Sequence, residues 1–158
     1  MHAHIRGVFT YDLTPILQQR LDWQRPYWST GRRLPRKVCS VSIDELLSLV
    51  PEAIEVIQYI CEHYQVDPNI KIWCNLYETG SDWTPYHRDS YNCTVVTVSF
   101  GGTRRFLTKG AEGVVEYQLA NGDLFVFDQH FNDHHTHSVP KTTKSVQPRV
   151  SLVIFCNG

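Results

Sequence analysis

The run TVVTVSFGGTRRFLTK, residues 94–109, decides how the second half of this chain folds. Two segments of β-branched and aromatic residues flank Gly101-Gly102, and each is of strand length rather than helix length. The same texture recurs on either side, in IWCNLY (72–77), VVEYQL (114–119), GDLFVFD (122–128) and RVSLVIF (149–155). Turn residues at Gly80, Gly110, Gly113 and Asn121-Gly122 separate these runs. Several strands at this spacing, with no helices between them, predict a sandwich or barrel that begins near Lys71.

The first seventy residues read differently. Thr14 as cap and Pro15 at the first helical position open an apolar-periodic run through Ile16, Leu17 and Leu21, which predicts a helix ending near Trp23. Ser42-Ile43-Asp44-Glu45 has the capping-box pattern ahead of Leu46, Leu47 and Val50. Pro51 then begins a longer helix, with Ile54, Ile57, Cys61 and Tyr64 at helical spacing on the face expected to pack. Between the helices lies RPYWSTGRRLPRKVCS (25–40), which reads either as a lid over the barrel mouth or as a surface loop bracing it. One domain spanning 1–158 is expected, with helices and a lid-like segment over 1–69 and the β-rich core over 70–158.

With 42% hydrophobic and 20% charged residues, the 158-residue chain reads as globular rather than disordered. No stretch approaches eighteen uninterrupted apolar residues, and MHAHIRGVFTYD lacks the layout of a signal peptide. An intracellular protein of the cytoplasm or nucleus follows, a monomer with no membrane partner. The five cysteines, Cys39, Cys61, Cys74, Cys93 and Cys156, form an odd set without CxxC spacing, and so read as buried thiols of a reducing compartment. The net charge of −1 gives no bulk drive toward nucleic acid. Two local basic clusters, Arg32, Arg33, Arg36, Lys37 and Arg104, Arg105, Lys109, are either solvated loops or phosphate-contacting patches.

The chemistry is concentrated in His87-Arg88-Asp89. In an extended strand residues i and i+2 share a face, so His87 and Asp89 can bite one metal while Arg88 points away. The third ligand comes from His130, His134, His135 or His137, and the Ser-Val-Pro exit after His137 suits a residue at the start of a strand. Two imidazoles and one carboxylate are the ligand set of a non-haem Fe(II) oxygenase, whose open positions take a cosubstrate and O2. Arg149 opens the last strand on the same face as Ser151, Val153 and Phe155, where a cosubstrate carboxylate explains an inward arginine. A zinc hydrolase fits less well, because no carboxylate base neighbours the set in sequence. A non-catalytic binding module fits poorly with a complete His-Asp-His set plus Arg149.

In order and approximate spacing, Asn75-Leu76-Tyr77, HRD, SFGGTRRF, GDLFVFD, HSVP and PRVSLVIF resemble the catalytic domain of the AlkB-like Fe(II)/2-oxoglutarate dioxygenases. Leu34-Pro35-Arg36-Lys37 resembles the segment those enzymes carry ahead of their barrel, so the likeness covers about residues 30–158. It implies a mainly β fold, a double-stranded β-helix (jelly-roll) barrel with flanking N-terminal helices. It implies Fe(II) held by His87, Asp89 and His137, and 2-oxoglutarate contacted by Asn75, Tyr77 and Ser151 and ion-paired to Arg149. The implied activity is oxidative N-demethylation of alkylated nucleobases, with single-stranded or modified DNA or RNA as partner; the alternative is a protein side chain or small molecule. Trp23, Tyr27, Trp28, Trp83, Tyr86 and Tyr91 are candidates for base stacking or for barrel packing. Two departures stand out. The family's last strand reads R-x-N-x-T-x-R, whereas here the places are Arg149, Ser151, Val153 and Phe155; and Ser90 and Tyr91 stand where base-repairing members often carry acids.

Overall fold

The computed structural model describes residues 1–90 and 93–157. The chain enters through β1 (His2–Ile5), α1 (Thr14–Arg20), β2 (Lys37–Ser42), α2 (Ile43–Leu49), a 3-10 turn (Pro51–Ala53) and α3 (Ile54–His63). The β-rich part continues through β3 (Lys71–Tyr77), β4 (Thr84–His87), β5 (Thr94–Gly101), β6 (Arg104–Gly110), β7 (Gly113–Leu119) and β8 (Leu124–Phe127). A short helix, α4 (Gln129–His134), then precedes β9 (Thr136–Val139) and β10 (Arg149–Cys156).

These strands form a six-stranded sheet in the order β1-β8-β5-β10-β3-β2 and a four-stranded sheet in the order β4-β9-β6-β7, with antiparallel pairing throughout. From β3 to β10 the chain changes sheet at every connection except the β6–β7 hairpin. The result is the jelly-roll barrel. The major sheet is not confined to the segment after residue 69, because β1 and β2 pair with β8 and β3 and complete its two edges.

Alternation along the central strands explains why they read as unbroken apolar runs: both faces of the major sheet are covered. On one face Ile72, Cys74 and Leu76 of β3, Val96, Val98 and Phe100 of β5, and Val150, Leu152, Ile154 and Cys156 of β10 join a core with the helices. That core takes Leu17 from α1, Leu46 from α2, and Val56, Ile57 and Ile60 from α3. The opposite face looks into the barrel. There Trp73, Asn75 and Tyr77 of β3, Thr97 of β5 and Arg149, Ser151, Val153 and Phe155 of β10 line one pocket.

The helices differ from expectation in detail. Ser42 and Glu45 form the expected capping box on α2. Thr14, however, lies inside α1; Leu13 occupies the cap position, and the Asp12 carboxylate accepts the Thr14 N–H at 2.8 Å. The buried face of α3 is Val56, Ile57 and Ile60, whereas Ile54 and Cys61 are exposed. The 3-10 turn ahead of α3 buries Ala53, and Ile57 is the residue of the expected face that α3 buries. All five cysteines are free; Cys39, Cys74 and Cys156 are buried, but Cys61 is not. Among the described residues no helix is long and apolar enough to cross a membrane.

The N-terminal segment is fastened to the barrel at Gly122, whose carbonyl accepts the N–H groups of Val8 at 2.9 Å and Phe9 at 3.3 Å. Gly122 has φ +82°, and a β-carbon there would collide with the Phe9 backbone; Gly31 has the same φ with open space around it. Gly31→Ala therefore carries only the left-handed strain, about 1–2 kcal/mol. Gly122→Ala is expected to lose at least about 2 kcal/mol more in chemical denaturation, since the backbone contact must open as well. Equal losses for the two variants would contradict this attachment.

Candidate metal centre

His87 closes β4 and His137 is the second residue of β9, and pairing of the two strands sets them directly opposite each other. Their ring centroids are 4.3 Å apart. Asp89 is not on the same strand as His87: β4 ends at His87, and Asp89 lies two residues beyond it. What aims Asp89 is Asn132 of α4, which is buried. The Asn132 Nδ2 donates to the Asp89 carbonyl at 2.8 Å, and its Oδ1 accepts the Asp89 N–H at 3.2 Å. One side-chain amide thus clamps both backbone groups of Asp89.

The clamp turns the carboxylate toward both imidazoles. Oδ1 is 3.6 Å from the His87 Nε2, and Oδ2 is 3.6 Å from the His137 Nε2. All three ligand groups lie within 4.8 Å of one another. Donors about 2.1 Å from one ion are about 3.0 Å apart at a right angle, so a modest contraction suffices to grip a cation.

Protonation favours ligation. His87 Nδ1 donates to the Pro85 carbonyl at 2.9 Å, a contact that fixes the ring and turns Nε2 toward Asp89. Burial pushes the His137 imidazole down to about 4, with Asp89 opposing and His87 adding to the shift. Burial works to raise the Asp89 carboxyl, but the His87 hydrogen bond and the charges of both histidines outweigh it and hold it below its ordinary value. Near neutral pH the His137 imidazole is neutral and Asp89 is a carboxylate.

Behind this set lies Arg149, only 1% exposed. Its Nη2 donates to the Ser99 hydroxyl at 2.8 Å, while Nε and Nη1 are buried without a partner. The guanidinium lies 5.2 Å from the centre of the Tyr77 ring, and Arg104 lies 5.3 Å from the same ring. The Tyr77 hydroxyl bonds Thr84 at 2.7 Å. Two orphaned N–H-bearing nitrogens on a buried cation fit an anion with paired oxygens, which is what one end of a dicarboxylate offers.

A second cation, from the basic cluster of residues 32–37, enters the pocket. Arg36 is buried, and its Nε donates to the Asn75 Oδ1 at 2.8 Å. That oxygen also accepts the Trp73 indole N–H at 3.0 Å, and the Asn75 Nδ2 donates to the Ser151 hydroxyl at 3.1 Å. The basic cluster therefore divides: Lys37 pairs with Glu78 at 2.9 Å on the outside, and Arg32 and Arg33 are exposed. Pairing of Val38 with Asn75 across β2 and β3 is the signal that locates Arg36 beside this pocket. In the other cluster Arg104 is buried on backbone carbonyls of Asp82 and Pro140, while Arg105 and Lys109 are exposed.

The remaining candidates fall elsewhere. His134 bonds the His130 carbonyl within α4, and His135 stacks on Phe131 at 3.9 Å, so of these histidines only His137 stands with Asp89. Phe155 lines the pocket, Ser90 is exposed, and Tyr91 lies outside the described residues.

The model of the 2OG-Fe(II) oxygenase superfamily matches residues 10–154. The DNA oxidative demethylase ALKBH2 of Bos taurus is 32% identical over 93 residues, covering 49% of this chain and 34% of that protein. The match thus spans about a third of that relative's length. The solved structure of OsALKBH1 superposes with a TM-score of 0.66 at 14% identity, covering 98% of this chain and 97% of that one. A prolyl hydroxylase from Trichoplax adhaerens, in complex with a hypoxia inducible factor oxygen degradation domain peptide fragment, gives 0.62 at 12%, covering 98% and 83%. At these identities the structural likeness speaks for the fold, the double-stranded β-helix.

Asn132→Ala removes the clamp while leaving every ligand atom in place. Its half-saturation for Fe(II), followed by anaerobic metal titration, is expected to rise roughly 10- to 100-fold, the effect usual for groups that orient a metal ligand. An unchanged half-saturation would show that Asp89 is aimed by something else.

Proposed function

The chain belongs to the 2OG-Fe(II) oxygenase superfamily, and on that premise we propose that it oxidatively removes N-methyl groups from bases in single-stranded DNA or RNA. As a dioxygenase of this superfamily it uses Fe(II), 2-oxoglutarate and O2. In our reading His87, Asp89 and His137 hold the iron, Arg149 pairs with one carboxylate of 2-oxoglutarate, and Asn75, Tyr77 and Ser151 face the rest of it. Bound iron supplies the oxidising power. In the net reaction 2-oxoglutarate and O2 yield succinate and CO2, while one methyl C–H becomes C–OH. The hydroxymethyl product then breaks its C–N bond, releasing formaldehyde and the N–H base.

The observation that carries the nucleic-acid reading is the hairpin ahead of the barrel. Residues 24–38 fold back through Gln24–Val38 and Tyr27–Arg33 bridges, and the returning arm runs directly into Arg36 of the pocket. Near its tip Tyr27 is 64% exposed and Trp28 37% exposed, with Arg33 lying 5.0 Å over the Tyr27 ring and Arg32 free at the surface. Exposed rings and guanidinium groups on the arm that leads into the pocket suit a base drawn out of its strand, the rings covering its face and the cations its phosphate. The barrel supports the chemistry, and the hairpin supports this choice of substrate. Such a protein acts inside the cell, in cytoplasm or nucleus.

The test is product analysis with N-methylated single-stranded DNA and RNA. Formaldehyde is expected to appear with succinate at close to one-to-one, and only when the methylated strand is present. Succinate formation without strand-dependent formaldehyde would remove the nucleobase reading. Formaldehyde from a methylated peptide instead would assign a protein side chain.

A further inference from the structure

The outward side chains of the minor sheet form a shallow apolar hollow lined by Trp83, Pro85, Tyr86, Leu107 and Pro140. Ser138 of β9 borders both this hollow and the metal pocket, which lie on opposite faces of the minor sheet. On its other side the hollow shares Pro140 and Lys141 with a wide groove that also contains Arg105 and Lys144. The hollow and the groove form one continuous track over the outer surface.

Charge and aromatic surface are paired along this track. The Lys141 ammonium lies 5.1 Å from the centre of the Trp83 ring, and the Lys109 ammonium 5.6 Å from that of Tyr86. A ring face steadies an ammonium without neutralising it. Both lysines are exposed, and the described lysine ion pairs are Lys37 with Glu78 and Lys71 with Glu45, which leaves Lys109, Lys141 and Lys144 without an acidic partner among the described residues. The acid of the groove, Glu116, is already engaged by Arg105 at 3.4 Å. Tyr86 is 41% exposed, so its ring remains open to a second planar group.

We propose that this hollow stacks a nucleotide flanking the one that enters the metal pocket, with its phosphate held by Lys109 and Lys141 and the strand continuing along the groove toward Lys144. The assignment rests on the nucleic-acid reading above and extends it to a second nucleotide. The chemistry is that of single-strand recognition: any base can cover an aromatic and proline surface, and the unpaired ammonium groups release counterions from the backbone. Neither step reads sequence. The expected enzyme accepts many sequences but prefers a strand to a free nucleoside.

Lys109→Gln, Lys141→Gln and Tyr86→Ala test this against a methylated ten-nucleotide strand and the matching methylated nucleoside. Each lysine variant is expected to raise KM for the strand about three- to tenfold at 0.1 M salt. It should also reduce the log–log salt slope of strand binding by about 0.7, the share of one phosphate contact on a single strand. Tyr86→Ala should raise the strand KM with little change in salt slope. Nucleoside kinetics and basal 2-oxoglutarate turnover should not move for any of the three. Parallel changes for strand and nucleoside, or an unchanged strand KM, would overturn the proposal. If no strand is demethylated, the nucleic-acid reading itself has failed as a reaction. Anisotropy of a labelled unmodified strand then decides this surface on its own: binding that the Lys109→Gln/Lys141→Gln pair leaves intact, or displacement by a methylated peptide, overturns it.

Discussion

A fully buried guanidinium with two nitrogens left unbonded is the constraint around which this molecule is arranged. Arg149 starts β10, the strand flanked by β3 and β5, so it sits where the major sheet is most enclosed. Its neighbours give it one hydroxyl, Ser99, and one ring face, Tyr77, and no carboxylate within 4 Å among the described residues. A charge held this way works against the folded state. The apolar core on the other face of the same strand, Val150, Leu152 and Ile154 against the helices, offsets that cost. Function and stability are thus divided between alternate residues of one strand.

The charge inventory of the pocket follows from the same arrangement. Its lining carries two guanidinium groups, Arg36 and Arg149, and one carboxylate, Asp89. The place where the resembling family carries a second arginine on the last strand is Phe155 here, yet a second guanidinium reaches the pocket from β2's side as Arg36, through Asn75. The pocket thus presents cations from two directions rather than from one strand. Asn75 becomes the junction, bonded at once to Arg36, Trp73 and Ser151. The His87, Asp89 and His137 set is supported from elsewhere: α4, between β8 and β9, supplies Asn132 and leads two residues later into the strand that carries His137.

Much of this was legible in the sequence, for physical reasons. β3, β5, β8 and β10 are covered on both faces, so their apolar runs stand out; β6 and β7 form a hairpin whose Gly110 and Gly113 mark its turn. His2–Ile5 and Lys37–Ser42 escaped, and Thr84–His87 and Thr136–Val139 were marked only by their histidines; all four owe their conformation to pairing with partners far away in sequence. The long helix was found and Ile57 lies on its buried face as read, but Val56 and Ile60 share that face while Ile54 and Cys61 point to solvent. The metal residues could be nominated from local spacing and order. Arg36 and Asn132 could not, since each acquires meaning only from a partner 39 or 43 residues distant in the chain.

The central claim is that Arg149 is kept buried and unpaired for 2-oxoglutarate. Arg149→Met, of similar length and uncharged, separates this from an ordinary structural role. With Fe(II) present and O2 excluded, equilibrium binding of 2-oxoglutarate is predicted to weaken by about 30-fold or more, the loss expected when one partner of a buried charge pair is truncated. The ligand-free variant, relieved of a stranded charge, is predicted to melt no lower than the parent. Affinity within threefold of the parent, or a ligand-free variant that melts well below it, would contradict the account.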